Sequence, residues 1–239
     1  MKMISKFAIL PALLIGLASV AYADSVEIGS FGTFQSPHNN ANTALAYLRY
    51  SNTAITTAAS SQGTMWTYNL TPAAGWVPAI TNGIYGSSWV AESNSGGGYG
   101  GGDPTDGYYE YTSTFSAVGG TYNGTIDLAA DDTAAIWING TRLVNYGDSG
   151  QDDGVCTNGQ PNCQSIDYIT VSGLVLNSGT NIITIVDDQV YGGPDGVDFQ
   201  GDLTKTPEPS SLLLMGSGLL GLAMVAFRKA KANRLVLHS

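Results

Sequence analysis

Positively charged residues are nearly absent from the central part of this 239-residue chain. Between Asp24 and Lys205 there are three basic residues against 18 acidic ones, which gives this segment a net charge of −15. A surface of this sign repels phosphate backbones, so it excludes nucleic acid as a partner. It is compatible with cations, calcium above all, and with neutral sugars.

Histidine is equally scarce, since only His38 lies in the central segment and His238 is the next-to-last residue. A Ser-His-Asp site needs an imidazole to accept and return a proton, and no G-x-S-x-G elbow surrounds any serine. A carboxylate pair for glycoside hydrolysis is harder to exclude, although no catalytic motif marks Glu27, Glu92 or Glu110. We therefore expect a protein that is not an enzyme, and a polysaccharide hydrolase stays as an alternative.

Residues that favour helices are few, and charged residues make up 12% of the chain, whereas there are 31 glycines and 13 tyrosines. This mixture favours strands and turns. Many segments alternate apolar and polar residues with period two, which is typical of half-buried strands. The pattern predicts one all-β domain over residues 24–205, with residues 44–50 forming a strand or a helical turn. The predicted strands are 25–34, 65–70, 108–115, 122–129, 134–138, 141–146, 166–172, 181–187 and 196–203.

Three short motifs in this segment resemble those of the galactose-binding-like jelly-roll family. In that family one strand ends in an Asp pair, the next in Asn-Gly, and a late strand opens with Gly-x-Asn. Here Asp131-Asp132, Asn139-Gly140 and Gly179-Thr180-Asn181 stand at those places, and the resemblance covers roughly residues 85–203. It implies a jelly-roll β-sandwich, a fold that carries sugar-binding, adhesive and purely structural modules.

The first 23 residues have the three parts of a secretory signal peptide. Lys2 and Lys6 form the positive region, an apolar stretch follows, and Ala21-Tyr22-Ala23 is a small-residue cleavage site. We expect a mature protein that begins near Asp24 and leaves the cytoplasm. A retained N-terminal anchor is the alternative.

The last 34 residues combine a Pro-Glu-Pro tripeptide, an apolar run over 210–227 and a basic tail. The run is close to the lower length limit of a transmembrane helix, and the basic tail indicates a cytoplasmic end. An ordinary single-pass anchor would fit this order. The three parts together resemble the PEP-CTERM sorting signal of Gram-negative bacteria, which an exosortase recognises. The resemblance assigns 206–239 to the signal, with Pro207, Glu208 and Pro209 as its motif.

Cys156 and Cys163 are the two cysteines of the chain. A single close pair in an exported protein predicts a disulfide that closes a short loop. A metal site is the weaker interpretation, because two sulfurs need two more ligands and histidine is scarce.

Acidic residues are concentrated in loops, at Asp131-Asp132, at 148–153 and at 187–195. Calcium prefers six to eight oxygen ligands from carboxylates, carbonyls and water. The pattern favours a structural calcium with Asp131 or Asp132 as the preferred ligand. Alternatively, these residues form turns and keep the surface soluble.

The sorting signal implies a protein that is cut near its motif and released to the cell surface or extracellular matrix, after transient anchoring in the inner membrane. Proteins with this signal commonly accompany exopolysaccharide production. We therefore expect a non-catalytic surface protein with an exosortase and exopolysaccharide as partners, or a purely structural matrix component. A sugar site would need an aromatic platform, and each tryptophan is a candidate either for that role or for core packing. The four are Trp66, Trp76, Trp89 and Trp137.

Overall fold

The computed structural model describes residues 24–34, 43–81, 86–94, 105–147, 156, 159–190, 192–206 and 211–236. The predicted signal peptide, His38, the Pro207-Glu208-Pro209 motif and the acidic residues of 148–153 lie outside these residues. Residues Ala23–Thr206 form one compact unit.

Eleven strands are present in the described part of this unit. Their bounds are β1 (Ser25–Gly32), β2 (Thr43–Ser51), β3 (Tyr68–Asn69), β4 (Val90–Ala91), β5 (Gly107–Ala117), β6 (Gly120–Asp131), β7 (Thr133–Ile138), β8 (Thr141–Val144), β9 (Asp167–Leu176), β10 (Gly179–Gln189) and β11 (Gly196–Lys205).

The strands form two layers that are connected through β1. In the first layer β11 pairs with β1, β4 and β6, while β3 pairs with β4 and β9 pairs with β6. In the second layer the order is β2-β5-β10-β7-β8. Residues Ser30–Gly32 of β1 pair in parallel with β2, and every other pairing between described strands is antiparallel.

The core lies between the two layers, because alternate residues of the long strands point inward from both sides. On β10, Ile183 and Ile185 are fully buried, and on β11 Val197 and Phe199 are buried opposite them in one apolar cluster. This arrangement confirms the predicted all-β sandwich. The same cluster also contains Val26, Ile28, Leu45, Tyr111, Ile126, Leu128, Ile136, Ile138, Val171 and Leu203.

The outer face of the second layer is also covered. Trp137 packs there with Ile55, Ala135 and Val186, and it is 2% exposed. Both faces of β7 are therefore buried, which explains why its sequence is apolar throughout instead of alternating.

Two of the three family-like motifs contact each other. Asn139 and Gly140 have positive φ angles of 49° and 79°, as a two-residue hairpin turn between β7 and β8 requires. The Asn139 amide donates to Asn181 Oδ1 over 2.7 Å, and Ile182 N donates to Asn139 Oδ1 over 3.0 Å. These hydrogen bonds connect the Asn-Gly turn to the start of β10, so both asparagines have a structural role.

Residues 44–50, left open between strand and helical turn, belong to β2. The C-terminal segment forms one helix, α1 (Ser211–Val236), which continues into the basic tail beyond the predicted apolar run. The Ala, Lys and Arg residues of this tail are good helix formers. No helix among the described residues is long and apolar enough to cross a membrane, in contrast to the span predicted over 210–227.

Candidate functional sites: an acidic cluster and an aromatic patch

Two aspartates continue the inward-facing rows of the core at one end of the sandwich. Asp187 follows Ile183 and Ile185 at every second position of β10, and Asp195 precedes Val197 with the same spacing. Both aspartates are 0% exposed. The strand period of β10 therefore carries the Asp187 carboxylate inward, and Asp195 is buried just before β11 begins.

These two side chains lack hydrogen-bond donors. Neither oxygen of Asp187 or of Asp195 has a hydrogen-bond partner among the described residues. The same is true of Oε1 of Gln189, which lies two residues beyond Asp187 on β10 and is 1% exposed. Buried polar groups in native proteins are nearly always hydrogen-bonded, so three neighbouring exceptions call for an explanation.

A third carboxylate, that of Glu92, lies beside Asp195. The hydroxyl of the fully buried Tyr111 donates to Glu92 Oε2 over 3.4 Å. Burial raises the pKa of Asp195 well above its usual range, and the nearby Glu92 raises it further. Burial likewise raises the pKa of Asp187, with a further contribution from Asp195. Glu92 thus makes it harder for Asp195 to ionise, and Asp195 makes it harder for Asp187.

Asp131 and Asp132 lie at the same end but have donors already. Trp76 Nε1 donates to Asp131 Oδ2 over 2.7 Å, and Val190 N donates to Asp132 Oδ2 over 2.7 Å. The peptide bond between the two aspartates is cis. The residues preferred as calcium ligands from the sequence therefore also have structural roles. We call Glu92, Asp131, Asp132, Asp187 and Asp195 the acidic cluster.

The predicted disulfide between Cys156 and Cys163 is present, with a Cα–Cα distance of 5.7 Å. Both cysteines are buried and pack with Trp76 and Trp89. Their sulfurs lie within 4.8 Å of an Asp131 oxygen, the one such group of three potential ligands in the described part of the chain. Sulfurs joined in a disulfide are not thiolate ligands, so this group does not form a thiolate metal site.

An aromatic patch lies on the surface of the sandwich, formed by Phe34, Trp66 and Tyr68. Phe34 is 57% exposed and Trp66 is 59% exposed. The Phe34 ring lies 5.3 Å from that of Trp66 and 4.9 Å from that of Tyr68, measured between centroids. The other three tryptophans are buried, as core packing requires. Trp66 is therefore the tryptophan that is available for a ligand.

Paired threonines hold the backbone beneath the patch. Thr33 N donates to Thr67 Oγ1 over 3.1 Å, and Thr67 N donates to Thr33 Oγ1 over 2.9 Å. Phe34 N also donates to the carbonyl of Thr67 over 3.0 Å. The Thr67 hydroxyl donates in turn to the carbonyl of Leu45 on β2. These bonds fix the backbone at the neighbouring positions that carry Phe34 and Trp66, so less backbone ordering is needed when a ligand binds.

Residues 205–229 match the model of the PEP-CTERM protein-sorting motif. The chain carries a PEP-CTERM sorting motif. This confirms the resemblance seen in the terminal residues, although the tripeptide itself lies outside the described residues. The motif is that of exosortase-sorted surface proteins. No curated protein matches the chain.

Solved structures similar to the sandwich include carbohydrate-binding modules. A family 35 module from Clostridium thermocellum has 18% identity and a TM-score of 0.27, over 56% of this chain and 88% of the module. CBM35 from Cellvibrio japonicus Abf62 has 12% identity and a TM-score of 0.30, over 77% and 100%. The GH26-CBM35 β-(1,4)-mannanase of Podospora anserina has 19% identity and a TM-score of 0.31, over 60% of this chain and 28% of the mannanase. Likenesses at this level carry no argument about what this chain binds.

Sequence reasoning located the acidic loops but selected Asp131 and Asp132 within them. Calcium binding by Asp131 or Asp132 stays a prediction. The alternation of β10 places Asp187 on the same face as Ile185, and Asp195 lies two residues before Val197. The aromatic patch has no comparable signal. Phe34 and Trp66 are brought together by backbone pairing between segments that are far apart in the chain.

Proposed function

We propose that this protein is exported from a Gram-negative bacterium, processed by an exosortase and displayed at the cell surface or in the extracellular matrix, where it binds exopolysaccharide without catalysis. The observation that carries the proposal is the PEP-CTERM motif over residues 205–229, directly after the sandwich. In this scheme the sorting signal anchors the chain at the inner membrane until the exosortase cuts near Pro207-Glu208-Pro209.

The aromatic patch supports the polysaccharide part of the proposal. Flat aromatic rings cover apolar surface at little conformational cost, and sugar rings present apolar C–H faces of similar size. The ring planes of Trp66 and Phe34 are inclined at 63° to each other, and they form an angular surface beside which a chain of sugars can lie. The negative charge of the central segment favours neutral over acidic polysaccharide.

Export and sorting are tested by mass spectrometry of the protein recovered from the producing cells. We expect a chain that starts near Asp24 and ends near Pro207–Ser211. The same chain from a strain without exosortase should keep its C-terminal helix. Recovery of residues up to Ser239 from a strain with an active exosortase would refute the sorting scheme.

Polysaccharide binding is tested by affinity electrophoresis of the full chain, purified in mild detergent, in gels that contain the matrix polysaccharide of the producing strain. We expect the wild type to be retarded and Trp66→Ala to lose at least tenfold in affinity. Tyr168→Ala is the matched control, because Tyr168 is 66% exposed on β9, outside the aromatic patch. Equal affinities of both variants and the wild type would exclude the aromatic patch as the binding surface.

The same preparations separate the two alternatives. A wild type that is not retarded, but is required for an intact matrix, indicates a purely structural component. Release of reducing sugar from the polysaccharide indicates a hydrolase, whose two catalytic carboxylates would be aspartates or glutamates of the central segment. Of these, Glu110 is fully buried and paired with Arg49, so it is poorly placed for catalysis.

A further inference from the structure

Strand β9 lies at the edge of the first layer, because it pairs with β6 and with no other described strand. It has ten residues, whereas the outermost strands β3 and β8 have two and four. The free backbone N–H and C=O groups of a long edge strand can pair with another chain, and proteins usually prevent this with short strands, lysine or proline. β9 contains no lysine, arginine or proline, so its edge lacks these protections.

A bulge in β9 gives the edge an unusual pattern of exposed side chains. The pairing with β6 shifts at Ser172 and Gly173, where Gly173 has a φ of 70° and donates its N–H to Asn123 Oδ1 over 2.8 Å. Both bulge residues are exposed. The alternation resumes after them in the opposite phase, so Tyr168 and Val175 lie on the same face although seven positions separate them. Each of these two side chains is 66% exposed.

This pattern is self-complementary when two copies of β9 lie antiparallel. If Tyr168 is set opposite Val175 of a second copy, the exposed Thr170 lies opposite the exposed Gly173. The buried Ile169 then lies opposite another buried residue. Residues directly opposite each other share one face of the sheet, so the two copies match everywhere outside the bulge. The pairing also creates two contacts between an aromatic and a β-branched side chain, which stabilise paired strands.

The charge of the edge favours the same arrangement. Residues 24–205 have a net charge of −15, so two copies repel each other over most of their surface. β9 carries one charged residue, Asp167, and the exposed Arg142 lines the groove of about 340 Å³ between β8 and β9. The edge is thus nearly neutral. Antiparallel pairing separates the two Asp167 carboxylates by the length of the strand, roughly 30 Å, whereas parallel pairing would place them side by side.

We propose that β9 is the interface through which two copies of this chain associate, with their β9 strands antiparallel about a two-fold axis. Such a contact closes on itself and leaves neither edge free. Because each copy contributes little more than one strand, we expect a contact at or below the lower end of the roughly 1,200–2,000 Å² of stable interfaces. The dimer should therefore be weak, with a dissociation constant of roughly 10⁻⁶–10⁻⁴ M. This inference is independent of the proposed polysaccharide binding.

Sedimentation velocity of the full chain in mild detergent tests the association over a range of concentrations. We expect the wild type to change from monomer to dimer, and Val175→Glu to weaken the dimer by at least about tenfold, since it adds an acid beside Asp167 of the second copy. Val118→Glu is the matched control, because Val118 is a 52% exposed valine outside β9. Association through the C-terminal helix would be equal in both variants. A monomeric wild type at 10⁻⁴ M, or equal association of the two variants, would overturn the proposal.

Disulfide trapping tests the register of the two strands. Positions 168 and 175 of one chain are roughly 20 Å apart along β9, too far for a disulfide within the chain. Under mild oxidation the double variant Tyr168→Cys/Val175→Cys should therefore form a covalent dimer. Tyr168→Cys alone should stay monomeric on a denaturing gel, because the antiparallel register keeps the two copies of position 168 equally far apart. No covalent dimer from the double variant, or equally fast linkage of the single variant, would refute the two-fold β9 interface.

Discussion

Asp195 and Asp198 are both fully buried near the start of β11, but their carboxylates differ in the hydrogen-bond donors around them. Asp198 accepts from Ser30 Oγ over 2.9 Å and from Ile80 N over 2.8 Å. Asp195 accepts from no donor in the described part of the chain and faces Glu92 instead. Burial raises the pKa of both groups. Hydrogen bonds from Ser30 and Ile80 oppose the rise at Asp198, whereas the nearby Glu92 adds to the rise at Asp195.

The two aspartates show that the depth of burial alone does not determine the role of a carboxylate. A buried carboxylate with two protein donors is a structural link, here between β11, β1 and the segment before residue 82. A carboxylate at equal depth without donors stabilises the fold only when a proton or a cation is added. The contrast can therefore be tested by removing each carboxylate in the presence and absence of calcium.

The largest effect is expected for Asp198→Ala. The substitution leaves the Ser30 hydroxyl and the Ile80 N–H buried without their acceptor, which should lower the free energy of unfolding by about 3 kcal/mol. Urea unfolding measures the loss, and it should be the same in calcium and in chelator. Ser30→Ala removes one donor to Asp198 together with the acceptor of Phe199 N, and it should cost about 1–2 kcal/mol. If the loss of stability in Asp198→Ala depended on calcium, the difference drawn here between Asp198 and Asp195 would be wrong.

Much of this contrast is already contained in the sequence. Period-two alternation locates the long strands, and on β11 it places Asp198 on the face opposite to Val197 and Phe199. The Asn-Gly turn and the Gly-x-Asn motif were located correctly because their conformations depend on local residues. Asn139 and Asn181 then contact each other across the second layer.

Other features depend on contacts that a linear pattern does not contain. The donors to Asp198 come from Ser30 and Ile80, which are separated from it by 168 and 118 positions. For the same reason, the sequence does not show that Asp131 already accepts a bond from Trp76. The sequence shows which acidic residues lie near strand ends. It does not show which of their carboxylates accept hydrogen bonds, because the donors are distant in the chain.

Glu110 is a third buried carboxylate, and it differs from both aspartates because it pairs with a basic residue of the chain. Glu110 is fully buried on the outer face of the second layer and pairs with the half-exposed Arg49. Burial raises the pKa of Glu110, and Arg49 opposes this rise. Arg49→Met should lower the free energy of unfolding by about 2 kcal/mol at pH 7, less than for a fully buried pair because Arg49 is partly solvated.

The loss in Arg49→Met should depend on pH in a defined direction. A carboxyl whose folded pKa is raised contributes stability below its unfolded pKa, about 4.3 for glutamate, and this contribution is lost as the pH rises through the folded pKa. Removal of Arg49 raises the folded pKa of Glu110 further, so the variant should approach the wild type as the pH falls toward 4. Unfolding curves at several pH values measure this, and Arg49→Lys should keep most of the stability. A constant difference from pH 4 to pH 8 would show that Arg49 acts through packing alone.

The smallest change in the free energy of unfolding is expected for Asp187→Asn in chelator. The sign of this change tells whether the Asp187 carboxylate is held by donors as that of Asp198 is. Without a divalent ion, the aspartate either holds a proton or is ionised next to Asp195, and both cost free energy at neutral pH. Asparagine has nearly the same shape without the charge, and its amide N–H groups can donate to the acceptors around it. The free energy of unfolding should therefore stay unchanged or rise by about 1 kcal/mol, which urea unfolding at pH 7.5 measures.

The same exchange at Asp198 introduces an amide group beside two donors and should be destabilising. If Asp187→Asn instead destabilises the chain as much as Asp198→Asn, Asp187 is held by donors of its own, and the difference between the two regions disappears.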